Sequence, residues 1–217
     1  MAEEKSDFAM KIVVLGPAKG GKSTFIDSFI SEEVTDMRKS YYPIFQTKVV
    51  KAGKKCYTMN IWDSGAPSSV SGSSQIVDVN KIYYRDAHVV LLAYDPTLIE
   101  TAPSTVEGWL KELSQNISDR SEIIVLGTKA DLLDKQKAQE SQKKIEMSCK
   151  IRGLRHMLVS SKTREGYEEL LAYLKSRCQY FEGKGLNDVT SSSKAEKLSK
   201  KTVDGKVSVR QTKKGCC

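Results

Sequence analysis

Hydrophobic and polar positions alternate along most of the chain, with short apolar runs separated by segments of helical periodicity. Six runs are short enough, and rich enough in β-branched and aromatic residues, to predict strands. They span residues 9–15, 45–50, 56–62, 88–94, 123–127 and 157–160. The runs at 88–94 and 123–127 are continuously apolar, which is typical of strands covered on both faces. Residues 51–54, between the second and third runs, predict a hairpin turn.

Three segments with helical spacing follow predicted strands. The first spans residues 23–31, and the second begins near Pro103 and places apolar residues of 106–113 on one side. The third begins after Thr163 and repeats apolar residues at helical spacing as far as Cys178. Strands that alternate with crossover helices predict an α/β fold with a mainly parallel sheet and helices on both faces.

Two segments depart from this alternation. Residues 64–75 are rich in Ser and Gly and show no period, so they predict a loop. From residue 183 onward Gly, Ser and Lys dominate and large apolar residues are few, which predicts a flexible tail. The sequence therefore predicts one globular domain over residues 1–182 and a tail over residues 183–217.

Composition narrows the class of protein further. The chain has 217 residues, of which 39% are hydrophobic and 29% charged, as is usual for a globular domain with an adequate core. No stretch approaches the 18 consecutive apolar residues that a transmembrane helix needs. The acidic, polar start at residues 1–8 lacks the apolar core of a secretory signal. An odd number of cysteines, five, then favours a reducing compartment.

The net charge of +8 is placed unevenly. The tail, residues 183–217, holds nine basic and three acidic residues and so carries +6, which leaves +2 for residues 1–182. A basic globular face for nucleic acid is therefore not expected, and a basic tail is. Two of the cysteines, Cys216 and Cys217, stand side by side at the carboxyl end, where a disulfide framework would not place them.

The segment between the first predicted strand and helix matches the phosphate-loop pattern G-x-x-x-x-G-K-[ST]. It comprises Gly16, Pro17, Ala18, Lys19, Gly20, Gly21, Lys22 and Ser23, and Thr24 follows. Glycines allow backbone N–H groups to surround phosphates, and the helix N-terminus adds the positive end of its dipole. Lys22 is expected to reach the β- and γ-phosphates, and the Ser23 hydroxyl to bind Mg²⁺. The pattern in its strand–loop–helix context predicts nucleotide phosphate binding.

Further motifs follow the phosphate loop in a recognisable order. They are Trp62-Asp63-Ser64-Gly65, Tyr83-Tyr84-Arg85-Asp86-Ala87, Thr128-Lys129-Ala130-Asp131, Ser160-Ser161-Lys162 and the terminal Cys216-Cys217. Their order and spacing resemble the Ras superfamily of small GTPases, and the Rab family in particular. The resemblance implies a six-stranded sheet with one antiparallel edge strand. It also implies a Mg²⁺-dependent GTP/GDP switch in vesicle trafficking, on the cytoplasmic face of an endomembrane or the plasma membrane, with a soluble cytosolic pool.

The same resemblance assigns roles to individual residues. Asp63 is expected to hold Mg²⁺ through water, together with Ser23. Guanine is expected to contact two segments, which comprise Thr128, Lys129 and Asp131 in the first and Ser160, Ser161 and Lys162 in the second. A carboxylate such as Asp131 accepts two hydrogen bonds from the guanine edge, where adenine presents an acceptor. No catalytic residue is assigned.

The carboxyl end implies partners of its own. Cys216 and Cys217 resemble the doubly prenylated end of Rab proteins, and two lipid chains anchor a protein stably where one does not. The basic tail is expected to add attraction to anionic membrane surfaces. Effector, prenylation and escort proteins are the further partners that the resemblance implies.

Several functional positions depart from the family pattern. Pro67 stands where the family has a water-orienting glutamine, and Ala66 where it has a glycine. Tyr41 occupies the position of the switch threonine, and Val34 that of an aromatic residue beside the base. Thr128 replaces an asparagine. Proline offers no polar side-chain group, so intrinsic GTP hydrolysis is expected to be weak or absent.

Other interpretations remain open at this point. Asp63 could serve only at a strand end, and Asp131 could be the N-cap of a helix over residues 132–136, a role that does not exclude base binding. The whole protein could be a pseudo-GTPase, a membrane interaction module that holds one nucleotide permanently or none. It could also be a small kinase, although the loop at 64–75 lacks the arginines that a kinase lid needs.

Overall fold

The computed structural model describes residues 6–31, 44–64 and 86–185. Within these ranges the chain forms six strands, four α-helices and one short 3-10 helix. The strands are β1 (Phe8–Leu15), β2 (Ile44–Ala52), β3 (Lys55–Asp63), β4 (Val89–Tyr94), β5 (Glu122–Gly127) and β6 (Arg155–Leu158). The α-helices are α1 (Lys22–Ser31), α2 (Ala102–Asn116), α3 (Gln139–Ile151) and α4 (Tyr167–Gly183), and the 3-10 helix spans Ala130–Leu132.

The six strands form one sheet in the order β2-β3-β1-β4-β5-β6. β2 runs antiparallel to β3, and every other neighbouring pair is parallel. The register places Val14 beside Asp63 on β3 and beside Leu91 on β4. The parallel strands therefore end along one edge, where the loops that follow β1, β3, β4 and β5 meet. The predicted α/β fold, a mainly parallel six-stranded sheet with one antiparallel edge strand, is confirmed.

Buried side chains cover both faces of the sheet. On one face, α1 and α4 contribute Phe25, Phe29 and Leu170 to a cluster with residues of β1, β3 and β4. On the other, α2 and α3 contribute Leu110 and Ile145 to a second cluster. Helices on both faces bury the central strands completely, which explains why β4 is apolar at each of its positions.

Strand ends differ from the sequence prediction by a few residues. The hairpin turn is shorter than predicted, because β2 continues to Ala52 and β3 begins at Lys55. Gly53 has φ +65°, the left-handed conformation that a tight turn of this kind requires. β6 lies at Arg155–Leu158, two residues earlier than predicted. These shifts leave the order of elements unchanged.

Helix α3 is not predicted by the sequence pattern. Its buried positions are Ser141, Ile145, Ser148 and Cys149, so two of the four are serines. A narrow stripe with so few large apolar residues gives a weak helical signal, although the tertiary contacts of Ile145 and Cys149 are sufficient to place it against the sheet.

Several predictions lie outside the described residues. They concern Val34, Tyr41, Ala66, Pro67, the Tyr83-Tyr84-Arg85 segment, most of the loop at 64–75, and the tail with Cys216 and Cys217. The division into domains at residue 182 also stays a prediction; α4 ends at Gly183. No helix in the three described ranges has both the length and the hydropathy needed to cross a bilayer.

Candidate nucleotide site

The phosphate loop connects β1 to α1 at the carboxyl edge of the sheet. Gly16 lies so close to β4 that a Cβ atom on it would come within 1.9 Å of the Ala93 carbonyl oxygen, and its φ is +136°. Gly21 has φ +78°, and a Cβ atom there would lie 2.7 Å from Thr128 Oγ1. Glycine is therefore required at both positions, because neighbouring groups approach closely and the backbone is left-handed.

Lys22, the first residue of α1, is buried, with 5% of its surface exposed. Its Nζ donates hydrogen bonds to the carbonyl oxygens of Gly16 at 3.0 Å and Pro17 at 2.8 Å, so the side chain folds back across the loop. Burial lowers the pKa of Lys22 below its usual value, and attraction to Asp63 partly opposes this. A buried ammonium group held by uncharged carbonyls can exchange them for the charged oxygens of a nucleotide phosphate.

The two residues predicted as metal ligands are in direct contact. Ser23 Oγ donates a hydrogen bond of 2.5 Å to Oδ2 of Asp63, the buried last residue of β3. Hydroxyl and carboxylate oxygens are ligands that Mg²⁺ takes readily when phosphates and water complete its shell. Across residues 6–31, 44–64 and 86–185 no cluster of three His, Cys, Asp or Glu side chains could hold a metal by itself. The pair therefore fits a Mg²⁺ site that a bound nucleotide completes.

Thr128 links the end of β5 to the phosphate loop. The residue is buried, and its Oγ1 lies 2.9 Å from the Gly20 carbonyl oxygen and 3.1 Å from that of Tyr94. One hydroxyl proton is shared between these two acceptors. The sequence indicates only that Thr128 lacks the side-chain amide of the asparagine that the family has at this position. The structure adds that its hydroxyl keeps a hydrogen bond to the phosphate loop.

Lys129 is held by a residue that sequence reasoning missed. Its Nζ donates to the Lys19 carbonyl oxygen at 3.0 Å and pairs with Asp95 Oδ2 at 2.5 Å. Burial alone would raise the pKa of Asp95, but hydrogen bonds from Lys129 and Thr97 outweigh it, so this pKa lies below its usual value. Its position in the sequence could have indicated this role. Asp95 directly follows the apolar run at 88–94, so it lies at the carboxyl edge of the sheet, as the phosphate loop does.

The two predicted guanine-binding segments contact each other. Ser160 Oγ donates a hydrogen bond of 2.6 Å to Asp131 Oδ1 and accepts one from the backbone N–H of Lys162 at 3.2 Å. Ser161 Oγ accepts a hydrogen bond of 3.1 Å from the Tyr167 hydroxyl. The Asp131 carboxylate is thus oriented by a hydroxyl from the neighbouring segment.

The alternative role of Asp131 as a helix N-cap is wrong. Asp131 is the second residue of the 3-10 helix. Lys129 comes before this helix and has a left-handed backbone conformation, and the next α-helix begins only at Gln139. The backbone N–H of Ala130 bonds to the Val159 carbonyl oxygen at 3.1 Å, which fixes this segment beside the loop after β6. The carboxylate is therefore directed to Ser160 and not to a helix end.

Most of the predicted site residues converge at one edge of the sheet. Within the phosphate loop, Ala18 and Lys19 are exposed and Pro17 is half-buried, whereas Lys22 is buried. Thr24 is half-buried in the first turn of α1. The arrangement offers glycine backbone and a buried cation for phosphates, an oxygen pair for a divalent cation, and a carboxylate for a base.

Comparison with known proteins gives a consistent picture. The Ras family model matches residues 11–179. The chain is 25% identical to Ras-related protein Rab-21 of Rattus norvegicus over 218 residues, which cover 97% of this chain and 92% of that protein. It is 26% identical to Ras-related protein Rab-30 of Homo sapiens over 178 residues, which cover 82% and 83% of the two chains. The chain therefore belongs to the Ras family, as a small GTPase of the Rab type.

Proposed function

We propose that this protein is a guanine-nucleotide switch in vesicle trafficking that binds GTP and GDP with Mg²⁺. The observation that supports this best is the convergence of Lys22, Asp63 and Asp131, each already oriented by a hydrogen bond, at one edge of the sheet. Preorganised polar groups of this kind lose little freedom when a ligand arrives. The phosphate loop binds the phosphates in this proposal, and Asp131 binds the base.

Asp131 selects guanine over adenine in this proposal. Its carboxylate accepts from two N–H groups of guanine, whereas adenine turns an acceptor toward it. Ser160 donates to Oδ1 of Asp131 and so restricts how the carboxylate can rotate, while each oxygen keeps a lone pair for guanine. The Lys129 stem covers the face of the base. Calorimetric titration with Mg²⁺ and either GTP or ATP tests the assignment, and equal affinity for both would contradict it.

Ser23 and Asp63 hold Mg²⁺ in the proposed complex. The bound ion would neutralise phosphate charge. The Ser23 hydroxyl can bind the ion through an oxygen lone pair while it keeps its hydrogen bond to Asp63, which is expected to reach the ion through water. Nucleotide binding is therefore expected to weaken when Mg²⁺ is removed with a chelator.

Hydrolysis of GTP is proposed to be weak. Pro67, where the family has its water-orienting glutamine, has no polar side-chain group that could hold an attacking water. A single-turnover assay with Mg²⁺ and GTP measures the rate directly, and Pro67→Gln is expected to raise it. A rate typical of small GTPases that is lost on Gln75→Ala would instead show that the loop at 64–75 supplies a substitute.

Membrane attachment is proposed to depend on Cys216 and Cys217. Two prenyl groups would anchor the chain, and the +6 tail would add attraction to anionic lipid. The protein is then expected at the cytoplasmic face of a membrane with a cytosolic pool, in contact with effector and escort proteins. Replacing both cysteines by serine is expected to move the protein from the membrane pellet to the cytosol in cells. Unchanged pelleting would contradict this part of the proposal.

The sequence favours a second candidate, a pseudo-GTPase that keeps a single state. Pro67 and Tyr41 stand where the family has its water-orienting glutamine and its switch threonine, so hydrolysis would not drive a switch. Denaturing the purified protein and identifying the released nucleotide by chromatography separates the two. A mixture of GTP and GDP, or GDP that exchanges, supports a switch, and one nucleotide that never exchanges, or none, supports the second candidate.

A further inference from the structure

A cavity of about 580 Å³ lies at the opposite edge of the sheet from the phosphate loop. Its walls come from the segment before β5, the start of β6 and the last turns of α4. Three arginines line it, namely Arg120, Arg155 and Arg177, and Glu122 is the carboxylate among the lining residues. The volume is in the range of small-molecule sites.

The cavity carries uncompensated positive charge. Arg177 Nε lies 2.8 Å from Glu122 Oε2, although this buried N–H has no correctly aligned acceptor. Glu122 also accepts a hydrogen bond from the Tyr173 hydroxyl. Arg120 and Arg155 have no carboxylate within salt-bridge distance among the residues that the structure describes. Three guanidinium groups against one carboxylate leave the lining about two charges positive.

Aromatic rings hold two of the guanidinium groups in place. The Cζ of Arg155 lies 4.0 Å from the ring centre of Tyr173, and that of Arg177 lies 4.0 Å from the ring centre of Tyr180. Stacked guanidinium planes lose less freedom on binding and keep their N–H groups available at the edge. Because each ring already packs against a cation, the cavity favours a ligand recognised by charge over one that stacks, such as a nucleotide base.

We propose that this cavity binds one phosphomonoester group of an inositol phosphate or of a similarly phosphorylated ring. A phosphomonoester carries between one and a half and two negative charges at neutral pH, roughly the charge that the lining leaves uncompensated, whereas one carboxylate carries half as much. Its oxygens also match the paired N–H groups of arginine. The site is separate from the nucleotide site, so the proposal goes beyond the proposed function.

The ligand group can come from a soluble inositol phosphate or from a lipid headgroup. The lining includes Tyr180 and Phe181 of the last turns of α4, and the chain continues from there into the basic tail. A lipid headgroup in this cavity would therefore lie beside the last turns of α4, which the tail follows in the sequence. The two sources share one chemistry, and the experiment separates them.

The test uses the full-length protein with saturating Mg²⁺ and GDP, so that the phosphate loop does not bind the probe. Inositol trisphosphate is titrated calorimetrically, with uncharged inositol as the blank. Replacing Arg120 and Arg155 by Gln is expected to lower the affinity by about tenfold or more. The matched control replaces Lys111 and Lys143, exposed lysines outside the cavity, by Gln, and is expected to bind within about twofold of wild type.

Three results would overturn the proposal. They are an arginine variant that binds as tightly as wild type, a lysine control that loses as much affinity as the arginine variant, and an unphosphorylated acidic peptide that competes as well as inositol trisphosphate. An unchanged denaturant unfolding midpoint in each variant shows that it is folded, whether or not the protein binds GDP. A failure of prenylation or of GTP hydrolysis would leave these measurements unaffected.

The lipid source is tested by sedimentation with phosphatidylcholine vesicles, with and without phosphatidylinositol bisphosphate. Preferential binding to the phosphorylated vesicles that falls in the Arg120/Arg155 variant, whose tail is intact, supports the lipid headgroup. Binding of inositol trisphosphate without preference for those vesicles supports a soluble ligand with the same chemistry. If the Arg120/Arg155 variant keeps both inositol trisphosphate binding and the preference for phosphorylated vesicles, the proposed site is wrong.

Discussion

The two edges of the sheet hold their charged side chains in different ways. At the carboxyl edge, Lys22 bonds to two carbonyl oxygens of its own loop and Lys129 pairs with Asp95. At the opposite edge, Arg120 and Arg155 line an open cavity and have no carboxylate within reach in the described part of the chain. The charged groups at the carboxyl edge are paired within the protein, whereas the opposite edge carries uncompensated positive charge.

This difference predicts how the two edges respond to substitution. Where buried polar groups satisfy each other, removing one leaves another without a partner, so stability and binding should fall together. Where exposed cations have no carboxylate partner, their removal should change ligand affinity and lower stability only slightly, through the lost contact of Arg155 with Tyr173. The following substitutions test that contrast at the nucleotide edge, and the arginine variants above test it at the other.

The largest effect is expected from Lys22→Ala. The buried ammonium group is the cation closest to the expected phosphate positions, and charge-assisted hydrogen bonds of this kind contribute about 1.5–3 kcal/mol each. GDP affinity should therefore fall by about 100-fold or more, which calorimetry measures. The free energy of unfolding should also fall, because Gly16 and Pro17 lose the donor to their carbonyl oxygens.

Lys19→Asn is the matched control for Lys22→Ala. Lys19 is exposed on the same loop and has φ +63°, a conformation that asparagine tolerates. This variant also loses one positive charge and should retain most of the affinity and stability. If both variants weaken GDP binding equally, the loop acts through its net charge, and the contrast between the two edges disappears.

Asp131→Asn should have the next largest effect, on selectivity more than on stability. An amide cannot accept hydrogen bonds from both guanine N–H groups, so the preference for GTP over ATP should fall by about tenfold to 100-fold. Competition binding with the two nucleotides measures this ratio. Ser160→Ala, which removes only the group that orients Asp131, should reduce the same ratio by a smaller factor. A larger effect from Ser160→Ala would show that Asp131 does not itself contact the base.

The sequence predicts the nucleotide edge far better than the opposite one, for a physical reason. A phosphate loop must be contiguous, because one turn of backbone surrounds the phosphates, so Gly16 to Ser23 form a recognisable motif. Each base-recognition segment lies at the end of a strand and can be placed by that strand. Arg120, Arg155 and Arg177 are far apart along the chain and have no spacing in common, so only the packing of β5, β6 and α4 brings them together.

Two further features, one at the nucleotide edge and one in the fold, are not predicted by the sequence for a similar reason. The sequence does not indicate a role for Asp95, because that role depends on Lys129, which reaches it from the neighbouring strand. The sequence pattern does not predict helix α3, because serines fill half of its buried positions. Periodicity records large apolar residues, and it does not record small polar residues that tertiary contacts bury.

Thr128→Val should have a moderate effect on stability. Valine has almost the same shape as threonine but cannot donate to the Gly20 and Tyr94 carbonyl oxygens, both of which accept from the buried hydroxyl. The free energy of unfolding should fall by about 1–3 kcal/mol, and GDP affinity should fall with it, because the phosphate loop loses a tether. Thr97→Val, which removes another hydroxyl near this edge but not from the loop, serves as the comparison. Reduced stability with unchanged GDP affinity would show that the loop holds its shape without Thr128.

The smallest effect concerns the pH dependence of the Lys129–Asp95 pair. The pKa of Asp95 lies below its usual value, so the native state favours the ionised carboxylate more than the unfolded state does. Its contribution to stability is therefore present above about pH 4, the usual range of an aspartate, and is lost as the pH falls through the lowered pKa. Asp95→Asn should lower the free energy of unfolding at neutral pH, and the difference from wild type should narrow below about pH 4.

The control for this last substitution is Asp119→Asn, which removes the carboxylate of an exposed aspartate outside the nucleotide edge. Denaturant unfolding of both variants and wild type, repeated from acidic to neutral pH, isolates the contribution of the ion pair, because both variants lose the same charge. A gap between Asp95→Asn and Asp119→Asn that stays constant across this range would mean that Asp95 acts through its hydrogen bonds to Thr97, which an amide oxygen can keep, and not through the charge of Lys129. The nucleotide edge would then be organised by neutral hydrogen bonds alone at this position.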